Sequence, residues 1–226
     1  MGQDVYEKFL AAKAKAGTTP VLHCPNVSLF RFLGHLGVPL AGQRVLEVGF
    51  GGNHGADLIE AQRRGADAYG VDLVASLVTG VPDLDPAKVA VCKAGVDPLP
   101  FGGGFDLIFS RDTVYYMTDD ELRFFFADCF AALREGGALV FQFIEGDLES
   151  DAHPVEEDFT LNSLEGFHLS QIYEPGNPVR FLKPRDMIAQ CAKTGFQHNG
   201  SKRLIQSYGT TGDKYRVDKY LSFAKP

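Results

Sequence analysis

The sequence predicts an α/β sandwich in which helices cover both faces of a mostly parallel sheet. Two observations carry this. From residue 43 to residue 144 apolar, strand-like runs alternate with helical stretches. Such alternation arises when crossover helices connect parallel strands. The first run, Arg44–Val48, leads into a turn, and residues 45–55 read Val-Leu-Glu-Val-Gly-Phe-Gly-Gly-Asn-His-Gly. The second run ends at Asp72. Glycine lets a backbone bend tightly and come close to a ligand, and an acid about 20 residues further on suits a ribose diol.

Taken in order, residues 4–16 read as an amphipathic helix with Val5, Tyr6, Phe9 and Leu10 on one face, ended by Gly17 and Pro20. Asn26 is placed to cap a second helix carrying Val27, Leu29, Phe30, Phe32 and Leu33. Together these helices form an expected N-terminal helical cap, residues 1–40, over a ligand site. A core at 41–144 follows. Its elements are strand Arg44–Val48, helix 54–64, strand Ala68–Val71, helix 73–79, strand Val89–Lys93 and strand Phe105–Ser110. Thr118-Asp-Asp-Glu121 is a capping box that opens a helix to Arg134. Glu135-Gly136-Gly137 breaks that helix, and Ala138–Ile144 is the next strand. Residues 145–180 interrupt the rhythm with nine acids and a single base, Arg180. A stretch of that length between core elements reads as a lid or insertion. Residues 181–226 return to the pattern with helix Pro184–Ala192, strand 197–206 and strand Tyr220–Ala224.

Composition narrows the function. A chain of 226 residues with 45% apolar content can bury one full core, so a single domain is expected. The net charge of −7 and the lack of a Lys/Arg cluster argue against DNA as a partner. Cys24, Cys92, Cys129 and Cys191 show neither C-x-x-C nor metal-ligand spacing, so free thiols and no metal are expected. The N-terminus has no signal-peptide pattern, and no apolar run reaches the ~18 residues of a membrane span. A cytoplasmic location without membrane partners is the expectation, and a homodimer is left open.

Four stretches together resemble the class I S-adenosylmethionine (SAM)-dependent methyltransferases, whose fold is Rossmann-like. They are Val45–Gly55, Tyr69-Gly-Val-Asp72, Leu99-Pro-Phe101 with Phe105-Asp106, and Leu133-Arg-Glu-Gly-Gly137 before a strand. The resemblance covers residues ~40–144 well and 181–226 loosely. It implies a seven-stranded, mostly parallel sheet with one antiparallel strand near the C-terminus, and SAM as cofactor. It places Glu47, Gly49, Phe50, Gly51 and Asn53 around the methionine part, with Glu47 facing the ammonium group. The family's third loop glycine is replaced by Asn53, beside Gly52, and Asn53 would cap the helix that follows. Asp72 would accept from both ribose hydroxyls, Leu73 would pack on the adenine, and Val96 or Asp97 would meet its amino group. The run Ser110-Arg-Asp-Thr-Val-Tyr-Tyr-Met117 would pass the sulfonium, giving Ser110 and Arg111 cofactor contacts and bringing Tyr115 and Tyr116 near the acceptor.

The expected activity is methyl transfer to a small-molecule oxygen or nitrogen nucleophile by in-line displacement. Catalytic candidates are Tyr115, Tyr116, His153 and His168; His23 and His54 are further loop histidines. Three other readings stay open: a SAM-binding sensor without turnover, a methyltransferase acting on proteins or peptides, and a nicotinamide-dependent oxidoreductase, which shares the glycine turn and distant acid.

Overall fold

The computed structural model describes residues 24–79, 81, 83–145, 159–161, 168–170, 178–180, 182–208 and 214–226. The expected helix at 4–16, His23 and His153 lie outside them.

A helix, α1 (Val27–His35), opens the described chain, capped by the Asn26 side chain, which accepts from the Leu29 amide at 2.9 Å. Then come β1 (Arg44–Val48), α2 (Ala56–Arg63), β2 (Asp67–Asp72), α3 (Ala75–Thr79), β3 (Val89–Val91), β4 (Phe105–Ser110), α4 (Asp119–Ala132) and β5 (Leu133–Ile144). After the short strands β6 (Phe159–Leu161), β7 (His168–Ser170) and β8 (Pro178–Val179) come α5 (Pro184–Thr194), β9 (Gln197–Tyr208) and β10 (Lys214–Ala224). The main sheet has seven strands in the order β3-β2-β1-β4-β5-β10-β9. Strands β1 to β5 are mutually parallel, and β10 runs antiparallel to both β5 and β9. The strand order reverses between β1 and β4, which is where an open α/β sheet forms a crevice at its strand ends.

Two apolar layers hold the sheet. On one face α4 and α5 bury Leu122, Phe125, Phe126, Met187 and Cys191 against Leu46, Phe141 and Phe223. On the other, α1 buries Leu29, Phe30, Phe32 and Leu33 against Val45, Leu107, Phe109 and Val140. Each such side chain contributes about 1.5–3 kcal/mol as an upper value. The described part of the N-terminal cap, α1, is thus also a layer helix; only its start reaches the strand ends.

Boundaries moved for identifiable reasons. Phe50–Asn53 forms a 3-10 turn, and Gly55, at φ 70°, takes the cap position of α2 in place of Asn53. Helix α4 keeps its Thr118–Glu121 capping box but stops at Ala132. Leu133 pairs with Phe105 instead, and the Lys225 ammonium bonds the free carbonyls of Phe130 and Leu133 at 2.7 Å. The glycine pair expected to precede β5 lies within it, at the register shift between the Leu133 and Ala138 pairings. Strand β10 begins at Lys214 instead of Tyr220, because β9 pairs with it along its whole length. In the acid-rich 145–180 stretch the described strands β6, β7 and β8 form a separate antiparallel sheet.

Candidate functional site

The carboxyl ends of β1, β2 and β4 bring the candidate residues together. At the end of β1, Gly49 has φ 84°, a conformation L side chains rarely adopt. A Cβ there would lie 1.9 Å from Thr113 Oγ1. At Gly51 a Cβ would meet Leu77 at 2.6 Å and Asp72 Oδ2 at 2.9 Å. The turn therefore packs against the segment after β4 on one side and the end of β2 on the other. Phe50 is fully buried in a satellite core with Leu58, Ala61 and Val78. Its ring serves packing, and its contribution to the site is backbone. Asn53 lies inside the 3-10 turn.

Three carboxylates face this turn from different elements. Asp72 is 8% exposed; its Oδ2 accepts from the Gly51 amide at 2.8 Å and its Oδ1 from Val74 at 2.9 Å. It is thus both a brace for the glycine turn and a local cap, and each oxygen retains a second lone pair. Burial raises its pKa, opposed by the amides of Val74, Gly51 and Leu73. Asp57, in the first turn of α2 and fully buried, accepts from the Asn26 amide at 2.5 Å and from Arg111 Nε at 2.8 Å. Glu47 is 1% exposed. Its Oε2 has no hydrogen-bond partner among the described residues. Burial pushes its pKa well up, with further upward pressure from Asp57 and Asp72; Arg111 and the Leu58 amide act the other way.

Arg111 is held between carboxylates, its NH1 2.5 Å from Asp112 Oδ2. Burial works against its charge, and Asp112 and Asp57 outweigh that, so its pKa is raised. From Asp112 a chain of polar contacts continues. Tyr115 Oη donates to Asp112 Oδ1 at 3.0 Å, the Asp112 amide donates to Gln142 Oε1 at 2.8 Å, and Gln142 Nε2 donates to Asp218 Oδ1 at 2.6 Å. Tyr220 Oη reaches Asn26 Oδ1 at 3.3 Å, bringing the start of α1 into the same set.

The other expected residues fall in distinct places. Ser110 Oγ donates to the Val48 carbonyl at 3.0 Å, bracing β4 against β1. Tyr115 and Tyr116 are buried with ring centroids 4.5 Å apart, packed in the main core. Leu73 is half-buried beside Asp72. Val96 is 46% exposed. Asp97 closes its own turn by accepting from the Lys93 amide at 3.1 Å. His168 lies in β7, away from the seven-stranded sheet in the strand pairing. No group of three or more His, Cys, Asp or Glu side chains that could bind a metal occurs among the described residues. None of their helices is long and apolar enough to cross a membrane. Sequence reasoning missed Asp57, Gln142 and Asp218. Asp57 had a signal, an acid in the first turn after the glycine loop; the other two are polar residues in strands whose partners are set only by sheet register.

The donor set fits a SAM-like group. A bare buried carboxylate oxygen suits an ammonium, and a second carboxylate across the glycine turn suits a diol. The methionine part would lie by Glu47 and Gly49, and the ribose by Asp72.

Comparisons agree with this geometry. Residues 45–137 match the family described as "Methyltransferase domain". Phosphoethanolamine N-methyltransferase 1 of Zea mays is 29% identical over 156 residues, 66% of this chain. The chain spans only 29% of that relative's length. Among solved structures, a SAM-dependent methyltransferase from Mesorhizobium loti superposes with a TM-score of 0.61 at 17% identity, covering 84% of this chain and 96% of its own. The 1,6-didemethyltoxoflavin-N1-methyltransferase of Burkholderia thailandensis, solved with bound 1,6-didemethyltoxoflavin and S-adenosylhomocysteine, gives a TM-score of 0.63 at 16% identity, covering 98% of this chain and 87% of its own. At such identities the superpositions establish the shared fold, with its single antiparallel strand. Residues 45–137 thus match a methyltransferase domain, and they sit on a fold shared with solved S-adenosylmethionine-dependent methyltransferases.

Proposed function

We propose that this protein transfers a methyl group from SAM to an oxygen or nitrogen atom of a small-molecule acceptor. The observation that carries this reading is the acidic lining of the glycine turn. Glu47, Asp57 and Asp72 are all buried there, with Arg111 as the cation facing Glu47. A dinucleotide would bring a pyrophosphate to such a turn, and buried carboxylates repel phosphate. An amino acid ammonium is attracted. This weighs against the nicotinamide alternative on physical grounds.

SAM would supply an electrophilic methyl on a sulfonium that leaves as a neutral thioether. The chain's share is binding and alignment. Glu47 holds the ammonium and Asp72 the ribose diol, and the glycines let the backbone approach. Arg111, fixed by Asp57 and Asp112, keeps the segment after β4 in place beside the reaction path. That alignment replaces translational freedom with a fixed approach. A base is required only where the acceptor must lose a proton. The acidic balance of the chain favours a small acceptor over DNA. The maize and Burkholderia relatives, named for N-methylation, favour nitrogen acceptors for the first trials.

The test is transfer of radiolabelled methyl from SAM to a panel of small amines and hydroxyl compounds, with a peptide library beside it. Label on a small molecule supports the proposal. Label on peptides alone would move the reading to a protein methyltransferase. Tight SAM binding with no transfer to any acceptor would favour a non-catalytic sensor.

A further inference from the structure

The three buried acids around the glycine turn differ in how fully the chain engages them. Asp57 accepts on both oxygens, from the Asn26 amide and from Arg111. Asp72 accepts on both oxygens, from Gly51 and Val74. Glu47 has the Leu58 amide, while its Oε2 is buried and bare among the described residues. The charged groups facing Glu47 are Asp57 from α2, Asp72 from the end of β2 and Arg111 from the segment after β4. Arg111 is already paired with Asp57 and Asp112. A carboxylate removed from water keeps its charge only where hydrogen bonds or a free counter-charge compensate it. Of the three acids, Glu47 alone has an oxygen without a hydrogen-bond partner among the described residues, and the one cation facing it is shared with two other carboxylates.

We propose that the ligand-free protein carries a proton on Glu47 and that arrival of the cofactor's ammonium group releases it to solvent. This inference rests on the methyl-transfer reading of the site. The step balances. The Glu47 O–H bond breaks, its electron pair stays on the carboxylate, the proton goes to water, and the ammonium keeps all its hydrogens while accepting the new ion pair. Linkage fixes the sign: because binding expels a proton, cofactor affinity rises with pH, by up to about tenfold per unit, until Glu47 is ionised in the free protein as well. Above that point it levels off. Glu47 thus acts as the charge-balancing group of the site, neutral without the cation and anionic with it.

Two measurements test this, one of them independent of any ligand. Infrared spectroscopy of the ligand-free protein at neutral pH should show a protonated carboxyl band that is missing from Glu47→Gln. Identical spectra would overturn the assignment. Calorimetric titration with S-adenosylhomocysteine, run in two buffers of different ionisation enthalpy, should show release of up to one proton in the wild type and none in Glu47→Gln. Binding by the wild type without proton release would overturn the coupling. If S-adenosylhomocysteine gives no heat at all, the cofactor reading falls and the coupling with it, while the infrared band still reports whether Glu47 holds a proton.

Discussion

The turn after β1 and the segment after β4 leave the same edge of the same sheet, yet they are built in opposite ways. The first is a glycine turn with few side chains of its own, beside acids from three elements, one of which has an oxygen that is bare among the described residues. The second, Ser110–Met117, is rich in polar side chains that are tied to one another or to neighbouring strands. One region keeps hydrogen-bonding capacity in reserve, whereas the other is a braced wall. Sites need both: spare hydrogen-bonding capacity where the ligand sits, and satisfied, rigid surroundings that fix it.

The sharpest way to break the wall is to remove Asp57. It is fully buried and pairs with Arg111, so Asp57→Ala leaves a buried guanidinium with one carboxylate fewer. Loss of one partner of a buried pair typically costs about 3–5 kcal/mol. Urea unfolding should show a loss of that size. A loss below about 1 kcal/mol would mean that the pair is not a structural brace.

Gly49→Ala attacks the joint between the two regions. The left-handed backbone and the overlap with Thr113 Oγ1 each cost energy, and a destabilisation of about 1–3 kcal/mol is expected. Adding Thr113→Ala should recover the steric share and leave the backbone share. Strict additivity of the two losses would contradict the contact.

Glu47→Gln inverts the usual direction. The native pKa of Glu47 lies above the ordinary glutamate value because of burial and the neighbouring acids. The native state therefore binds more protons at this group than the unfolded chain does. Its contribution to stability is fully present below the unfolded pKa and is lost as pH rises through the native one. Glutamine carries no such penalty. The variant should match the wild type near pH 4 and melt at higher temperature at pH 8, where each kcal/mol corresponds to about 2–4 °C. Equal melting at both pH values would show that Glu47 is not strained by burial.

At the small end, the pair Arg123–Asp120 on α4 is solvent-exposed on both sides. Arg123→Ala should change stability by less than ~0.5 kcal/mol and leave cofactor binding unaltered. Any larger effect would mean that α4 communicates with the site.

The contrast also explains what could be read from the chain. The glycine turn and Asp72 were legible because the chemistry is local: a backbone that must bend, and an acid ending the next strand. The alternation of elements and the capping box at Thr118 were legible for the same reason. The wall was not. Ser110 was expected at the cofactor, but its hydroxyl is satisfied by the Val48 carbonyl across the β1–β4 ladder, 62 residues away in the chain. Tyr115 and Tyr116 were expected at the acceptor, and both are core residues. Asp218 and Gln142 meet only because β10 pairs with β5 in one particular register. Long-range pairing of that kind leaves no trace in residue spacing. Asp97 shows the converse case: it was expected at the adenine and serves the local turn its position before Pro98 suggests.

The end of β1 and the end of β2 are proposed together to hold SAM. Calorimetric titration with S-adenosylhomocysteine, on the wild type and on Asp72→Ala with NAD as a control ligand, tests it most directly. Loss of charge-assisted hydrogen bonds to the two ribose hydroxyls should weaken binding by roughly 100-fold. Expected are micromolar binding by the wild type, that loss in Asp72→Ala, and no heat with NAD. Binding of NAD in place of S-adenosylhomocysteine, or an Asp72→Ala variant that binds as well as the wild type, would contradict it.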